Sequence, residues 1–170
     1  MNVFAVAGEA SGDRMLAATL SALGERVPGL CCTGAGGPLS EAAGLHPLRP
    51  RIPPRELAAN GLWDVLRSAP TLLGHRARLQ RELNAFRPDL VLLVDYPGMN
   101  IRLARAARAQ GIPVHYIAPP QLWAYRAPQA RLARLNRALR GVSLQFLYPF
   151  EAEPYGACAG PATQGHFLPL

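Results

Sequence analysis

The run Leu90–Val94 is the feature that most restricts the fold of this chain. Five consecutive apolar residues, LVLLV, follow the helix-breaking sequence Arg87-Pro88-Asp89 and end at Asp95. A strand on a half-exposed sheet alternates apolar and polar side chains, whereas an unbroken run of this length is typical of a strand covered on both faces. The sequence therefore predicts a parallel sheet with helices on both sides.

Predicted strands and helices alternate along the whole chain. Apolar runs predict strands at residues 3–7, 30–33, 90–94, 114–117 and 142–147, and helical spacing of apolar residues predicts helices at 14–23, 38–41, 61–73, 75–86, 101–109 and 131–140. Residues 47–60 are expected to form a long loop, Pro70 to break a helix, and the chain from Pro149 onward to be irregular. This order predicts an α/β fold with a Rossmann-like, mainly parallel sheet, helices on both faces and right-handed crossovers.

Size and charge set broad limits on function. The 170 residues, 49% of them hydrophobic, suit one domain. The formal net charge of +7 comes from arginine alone, because the sequence has no lysine, and it favours anionic partners such as nucleic acid, acidic lipid headgroups or sugar phosphates. No membrane-spanning run or signal peptide is recognisable, which predicts a cytoplasmic protein. Cys31, Cys32 and Cys158 are expected to be buried, reduced thiols.

Two glycine-rich loops do not match nucleotide-binding fingerprints. The cluster at residues 34–36 has Leu39 where G-x-G-x-x-G requires its last glycine, and it follows the second predicted strand. The loop at residues 8–12 is not a Walker loop, because Asp13-Arg14 stands where lysine and serine or threonine are required. Ser11 in that loop is expected to cap a helix, either facing an anionic or hydroxyl-rich ligand or simply closing a turn.

Three carboxylates are expected to meet at one edge of the sheet. Ligands of open parallel sheets bind beyond the carboxyl ends of the strands, which here means the loops at residues 8–13, 34–38, 95–100 and 118–126. Glu9 and Asp13 flank the first of these loops, and Asp95 ends a buried strand. A carboxylate in such a place is able to act as a general base, although an aspartate after a strand is as often only a turn or cap residue.

Apolar and basic stretches elsewhere each allow two interpretations. Trp63, Leu66 and Leu72 lie on a stretch with few charges, which either packs in the core or dips into lipid as an interfacial patch. A basic stripe at Arg131, Arg134 and Arg137 is most simply a solvated helix face, because no aromatic residue interleaves it as nucleic-acid stacking would require. The histidines lack metal-ligand spacing, so no metal site is assigned, and His115 is expected to be a hydrogen-bonded core residue.

Taken together, seven motifs resemble the lipid-A-disaccharide synthase family. They are GEASGD at 8–13, GAGGP at 34–38, NGLWDVL at 60–66, RPDLVLLVDYPGMN at 87–100, HYIAPPQLWAYR at 115–126, YPFE at 148–151 and GH at 165–166. Their order and spacing match the family over almost the whole chain. GEASGD at a first strand, combined with the HYIAPPQLWAYR segment, is the most specific part.

The resemblance implies the N-terminal domain of a GT-B glycosyltransferase, whose active site lies between two Rossmann-like domains. The family joins UDP-2,3-diacylglucosamine to 2,3-diacylglucosamine 1-phosphate with inversion and releases UDP, so a UDP-sugar is the donor substrate and no cofactor is expected. Family members have an essential aspartate at the position of Asp95, which is therefore expected to be the base for the acceptor 6-hydroxyl. The resemblance assigns seven residues to the substrate cleft: Glu9, Ser11, Asp13, Asn100, Gln121, Trp123 and Arg126.

Partners and domain limits also follow from the resemblance. The acylated glucosamine phosphate acceptor, an anionic inner-membrane surface and a donor-domain partner or second copy of the chain are expected, and nucleic acid is not. Trp63, Leu66 and Leu72 are expected to contact the membrane. Residues 1–165 are expected to form the acceptor-side domain, and residues 166–170 to begin a linker to a donor-binding domain.

Gly98 is a departure from the family pattern, which commonly has a second aspartate at this position. The change indicates either weaker positioning of the acceptor or a different acceptor. The sequence also ends where family chains pass into the donor-binding domain, so the chain is expected to be incomplete for catalysis. A non-catalytic lipid- or phosphosugar-binding module is the alternative, and a nucleic-acid binder is a third, resting on charge only.

Overall fold

The computed structural model describes residues 1–52, 62–122 and 128–155, with backbone only at residues 62–70, 72, 128–132 and 136. In chain order the elements are β1 Asn2–Ala7, α1 Ala10–Arg26, β2 Cys31–Ala35, α2 Pro38–Ala42, β3 Leu45–Pro47, α3 Leu62–Phe86, β4 Leu90–Val94, α4 Pro97–Ala109, β5 Val114–Ile117, α5 Pro128–Leu139 and β6 Ser143–Gln145. Short 3₁₀ turns follow at Pro149–Glu151 and Glu153–Tyr155. The boundary expected at residue 165 lies outside the described residues.

The six strands form one parallel sheet in the order β3-β2-β1-β4-β5-β6. This confirms the predicted Rossmann-like architecture. The chain first builds outward from β1 to β3 and then returns to the other side of β1 to add β4, β5 and β6. The crevice beyond the carboxyl ends of β1 and β4 is therefore the topological switch point, where ligands of doubly wound sheets bind.

Two apolar cores, one on each face of the sheet, explain the unbroken run in β4. Leu92 and Val94 face the core shared with α1, whose contributions are Leu16 and Leu20. The alternate side chains of β4 face the opposite core, where they meet α3, α4 and α5: Val91, Leu93, Leu79, Leu83, Leu103, Leu135 and Leu139. Because successive residues of a strand point to opposite faces, a strand between two helix layers needs apolar residues at every position.

One prediction about the middle of the chain is wrong, and one short strand was not predicted. Helix α3 runs continuously from Leu62 to Phe86, so Pro70 does not break it. Proline has a backbone φ that suits a helix, but it removes one hydrogen bond and causes a local clash. The packing of this 25-residue helix on the sheet outweighs that cost. The strand that was not predicted is β3, a three-residue edge strand paired with β2, and it overlaps the predicted loop only at Pro47.

Smaller corrections concern single side chains and one loop. Cys31 is exposed at the first position of β2, while Cys32 is buried as expected, and Cys158 lies outside the described residues. His115 is half-buried, and its two ring nitrogens hydrogen-bond to Ser143 and Gln145 at 2.9 and 3.1 Å. The first glycine loop is shorter than predicted, because α1 begins at Ala10.

Candidate active site

Backbone strain is concentrated where β4 and β5 end. Asp95 and Tyr96 both have a φ of +49°, and Ala118, directly after β5, has a φ of +52°. Left-handed backbone is uncommon outside glycine and costs on the order of 1–3 kcal/mol for each residue. Such strain persists only where surrounding contacts hold it, and it clusters at functional sites. The turn after β4 is therefore a candidate site on geometry as well as on sequence.

Three hydrogen bonds hold the backbone of Asp95 in this conformation. Its amide donates to the carbonyl of Ile117 at 2.9 Å, which extends the β4–β5 ladder by one residue. Its carbonyl accepts from Asn100 Nδ2 at 2.7 Å and from Tyr116 Oη at 2.8 Å. Because both peptide groups of the residue are fixed, the backbone of half-buried Asp95 has a defined position at the mouth of the crevice.

Asn100 is the internal support of this turn. Its side chain is fully buried, and Nδ2 donates to the carbonyl of Val94 at 3.1 Å as well as to that of Asp95. Its own amide donates to the carbonyl of Tyr96 at 3.1 Å, which starts α4. Oδ1 is buried without a hydrogen-bond partner among the described residues. Asn100 was expected to line the substrate cleft, and its contacts show that it holds the loop that carries Asp95.

Tyr96 and Glu9 face each other across the switch point. The β1–β4 register ends where Ala7 pairs with Val94, and Gly8, the next residue, lies against the Tyr96 side chain. A Cβ on Gly8 would lie 2.6 Å from Cγ of Tyr96, which explains the need for glycine in the first position of GEASGD. Burial raises the pKa of the Tyr96 phenol, and the negative charge of Glu9 raises it further.

Two helices begin at this crevice, and neither is capped by a side chain. Glu9 occupies the N-cap position of α1 without a side-chain hydrogen bond, so Ser11, the second residue of the helix, is not the cap that the sequence predicted. Ser11 is exposed in the first turn. Tyr96 is the N-cap of α4, again without a side-chain hydrogen bond. The first-turn amides of both helices thus lack a side-chain acceptor at the N-cap, and helix N-termini favour anionic groups.

Asp13 has a structural role in addition to its place in the first motif. Its carboxylate is 5% exposed and accepts hydrogen bonds from the backbone amides of Gly37, Leu39 and Ser40 at 2.9, 3.0 and 3.0 Å. Burial alone raises the pKa of Asp13, but the hydrogen bonds from the Ser40 side chain and from the three amides outweigh it, so the pKa lies below its ordinary value. Asp13 therefore ties GEASGD to the start of α2, which explains the spacing of these two motifs.

The loop after β5 closes the other side of the crevice. Pro119 and Pro120 are buried, and Gln121 is half-buried next to them. The hydroxyl of Tyr155 donates to the carbonyl of Pro120, which ties this loop to the second 3₁₀ turn. Trp123 and Arg126 lie outside the described residues. Trp63, Leu66 and Leu72 belong to α3, but their side chains are outside the described part as well.

Two tyrosines in the site were missed by sequence reasoning. Tyr116 and Tyr96 each stand next to a residue that the motifs singled out, so the adjacent HY and DY pairs were the available signal. In the described ranges, no three His, Cys, Asp or Glu side chains are placed to hold a metal ion. Within the same part of the chain, no helix has the length and apolar character needed to cross a membrane.

Sequence comparison identifies a family and several relatives of this chain. A profile of the lipid-A-disaccharide synthetase family matches residues 3–164. The chain is 40% identical to the lipid-A-disaccharide synthase of Alkalilimnicola ehrlichii over 91% of its own length and 39% of that protein, and 39% identical to that of Chromobacterium violaceum over 99% and 42%. The chain thus spans about two fifths of the length of these curated relatives.

A solved structure supports the fold independently. UDP-GlcNAc 2-epimerase from Neisseria meningitidis, crystallised with UDP-GlcNAc, superposes with a TM-score of 0.56 over 98% of this chain and 45% of its own. At 14% identity the likeness concerns the fold alone. The family profile covers nearly all the residues that build the strained turn and its supports. The chain therefore belongs to the lipid-A-disaccharide synthetase family.

Proposed function

We propose that this chain is the acceptor-side domain of an inverting glycosyltransferase that joins UDP-2,3-diacylglucosamine to 2,3-diacylglucosamine 1-phosphate. The observation that carries the proposal is the fixed position of Asp95 at the switch point of a chain that belongs to this family. The backbone of this residue is held at the end of a central strand, which places its side chain next to the crevice where ligands of such sheets bind.

Asp95 acts as the general base in this proposal. Its carboxylate accepts the proton of the acceptor 6-hydroxyl while that oxygen forms a bond to the anomeric carbon of the donor. The bond from that carbon to the UDP oxygen breaks in the same displacement, and UDP leaves with the electron pair. One displacement at the anomeric carbon inverts its configuration and gives the β-linked disaccharide.

The acceptor is proposed to bind between the two uncapped helix N-termini. The first-turn amides of α1, including that of exposed Ser11, and those of α4 suit the phosphate of the acceptor. Glu9 provides a carboxylate for sugar hydroxyl groups on the same side of the crevice. Gln121 is proposed to bind the acceptor from the loop after β5, together with Trp123 and Arg126.

Donor and membrane contacts complete the proposal. The relatives are more than twice as long as this chain, and the uridine and diphosphate are proposed to bind to a second domain, supplied by a longer polypeptide, a partner or a second copy. The acyl chains of both substrates require access to a membrane surface. Trp63, Leu66 and Leu72 on α3 are proposed to make that contact, and exposed Leu73 on the same helix supports it.

A chimera tests this function directly. Residues 1–164 are joined to the remaining part of the Chromobacterium violaceum enzyme and supplied with both substrates, and the disaccharide 1-phosphate is measured by mass spectrometry. We expect product, and we expect Asp95→Asn to abolish most of it. Glu25→Gln is the matched control, because it removes one exposed carboxylate from α1 far from the crevice. A folded chimera that makes no disaccharide with Asp95 intact contradicts the assignment.

A binding module without catalysis is the second candidate, favoured by Gly98. The glycine leaves open space in the first turn of α4, where the family commonly has an aspartate. If Gly98 marks a chain that binds the phosphosugar but does not react, the chimera binds acceptor and makes no product. In that case Asp95→Asn changes neither acceptor binding nor turnover.

A further inference from the structure

A groove lined by four arginines lies between α4 and α5, away from the candidate active site. Its volume is about 550 Å³. The lining residues are Arg105, Arg108 and Ala109 from α4 and Arg134, Arg137 and Ala138 from α5. Arg134 and Arg137 belong to the basic stripe that the sequence alone assigned to a solvated helix face. The fold changes this interpretation, because it brings the stripe opposite a second pair of arginines.

No acidic side chain in the part of the chain that the structure describes forms an ion pair with the arginines of this groove. Between Asp95 and Glu151 the sequence has no aspartate or glutamate and eight arginines. The one ion pair found in the described ranges joins Arg51 to Glu41, near β3. Glu153 lies on a 3₁₀ turn that contacts α5, but among the described residues it forms no ion pair with the four arginines. The mutual repulsion of the guanidinium groups therefore favours an anion in the groove.

Helix dipoles explain only part of this arrangement. Arg108 and Arg137 lie in the last turns of α4 and α5, where a cation compensates the partial negative charge of the helix end. Arg108 also reaches the turn after α5, with its Nε 3.6 Å from a Cβ built on Gly141. Arg105 and Arg134 each lie three residues earlier, where the dipole effect has largely faded. The groove thus has more positive charge than the helix ends require.

We propose that this groove binds a phosphate group with two or more negative charges, as in a phosphomonoester or a diphosphate. Guanidinium groups bind phosphate oxygens through paired N–H donors, and arginines from two facing helices are able to approach one phosphate from both sides. The volume lies in the range of small-ligand sites. The alanines provide no aromatic surface on which a nucleic-acid base would stack, which favours a phosphate group over a nucleic acid.

The groove is independent of the proposed acceptor site. Helix α4 begins at the crevice with Pro97, and Arg105 and Arg108 lie eight and eleven residues further along, which is roughly 12 and 16 Å along the helix axis. The two phosphate sites are therefore at opposite ends of α4. A phosphate on a lipid headgroup and a soluble phosphate share the chemistry that the groove requires, and the experiment distinguishes them.

The test uses the 170-residue chain, two phosphate probes and a single-stranded oligonucleotide for comparison. Pyrophosphate is titrated into ¹⁵N-labelled protein and followed by amide shifts, and co-sedimentation is measured with phosphatidylcholine vesicles with and without phosphatidic acid. The variant combines Arg105→Ala with Arg134→Ala, one arginine from each side of the groove. The control combines Arg102→Ala with Arg140→Ala, which removes the same charge from exposed positions on and beside the same helices. If the alanine pair lowers stability in urea, Arg105→Gln with Arg134→Gln repeats the measurement.

Either of two results supports the proposal. In the first, pyrophosphate shifts the amide signals of α4 and α5. The groove variant weakens pyrophosphate binding at least about tenfold, and the control changes it less than about twofold. This result identifies a soluble phosphate. Alternatively, only vesicles with phosphatidic acid bind, with the same dependence on the variants, which identifies a lipid headgroup. The proposal is overturned if neither probe binds, or if the control weakens binding as much as the groove variant. It is also overturned if a single-stranded oligonucleotide binds the groove more tightly than either probe at equal salt.

Discussion

Replacing Asp13 by alanine removes the connection between the first two motifs. The carboxylate accepts three backbone hydrogen bonds, from Gly37, Leu39 and Ser40, and it is 5% exposed. A hydrogen bond contributes about 1 kcal/mol net, and more when the acceptor is charged, while a buried donor left without a partner costs about 1–3 kcal/mol. The substitution also removes the cost of burying a charged carboxylate, which offsets part of this loss. We therefore expect Asp13→Ala to lower the free energy of unfolding by about 3 kcal/mol. A small domain has a total of about 5–15 kcal/mol, so the loss is large.

The same carboxylate gives a pH dependence with a defined sign. The pKa of Asp13 is lowered from its ordinary value of 3.8 in the folded protein, because hydrogen bonds to the charged form outweigh burial. Its contribution to stability is therefore complete above the unfolded pKa and is lost as the pH falls through the folded pKa. Asp13→Asn keeps one acceptor oxygen but cannot titrate. We expect the stability difference between wild type and Asp13→Asn to be constant near pH 6 and to shrink below about pH 4.

Urea unfolding followed by circular dichroism measures both effects. Asp89→Ala is the control, because Asp89 is also a carboxylate that accepts a backbone hydrogen bond, from Asn2 at 2.7 Å, but it is exposed. We expect a loss below about 1 kcal/mol for the control. If Asp13→Ala destabilises the protein no more than Asp89→Ala does, the capping role is refuted. The side chain of Asp13 is then free to bind substrate, as the sequence suggested.

Three further results are expected. Gly98→Asp raises the free energy of unfolding by about 0.5–1 kcal/mol, because the position is open and an aspartate in the first turn favours the helix dipole; a loss of stability in urea contradicts this. Asn100→Asp lowers the free energy of unfolding by about 2 kcal/mol or more, because Nδ2, the buried donor to the carbonyls of Val94 and Asp95, is replaced by an acceptor oxygen. An unchanged urea unfolding curve contradicts this. Iodoacetamide at pH 8 labels Cys31 and not Cys32, because Cys32 is buried and its burial raises the pKa of its thiol to about 12. Site-resolved mass spectrometry checks this, and labelling of Cys32 before unfolding contradicts it.

Local sequence pattern was sufficient to predict the strands that have an apolar core on each face. The runs that became β1 and β4 are apolar apart from Asn2 at the start of β1, and β5 has one polar residue, half-buried His115. These strands lie in the interior of the sheet, where helices cover both faces. The edge strand β3 has three residues, one of them proline, and gives no such signal. Pro70 was misjudged because a local rule was applied to a helix whose length and packing on the sheet outweigh one lost hydrogen bond.

The candidate site was predictable in position but not in its division of roles. Asp95, Asn100 and Asp13 were all placed at the correct edge of the sheet, because parallel strands align their carboxyl ends. Their roles depend on partners that are distant in sequence. The contact of Tyr116 with Asp95 spans 21 residues, and that of Asp13 with Gly37 spans 24. No periodicity reveals such pairs, so the sequence did not predict the supporting contacts of Asn100 and Asp13, and their substrate-binding roles stay predictions.

The most direct measurement is the separation of kcat from KM for Asp95→Asn in the chimera with the Chromobacterium violaceum donor half. A general base contributes about 10²–10⁴-fold to rate, and asparagine keeps the size of the side chain. Because the backbone of Asp95 is held by Asn100, Tyr116 and Ile117, the substitution leaves the crevice intact. We expect kcat to fall at least about 100-fold while KM for the acceptor changes less than about threefold. A kcat that stays within tenfold of wild type contradicts the role of Asp95 as the base.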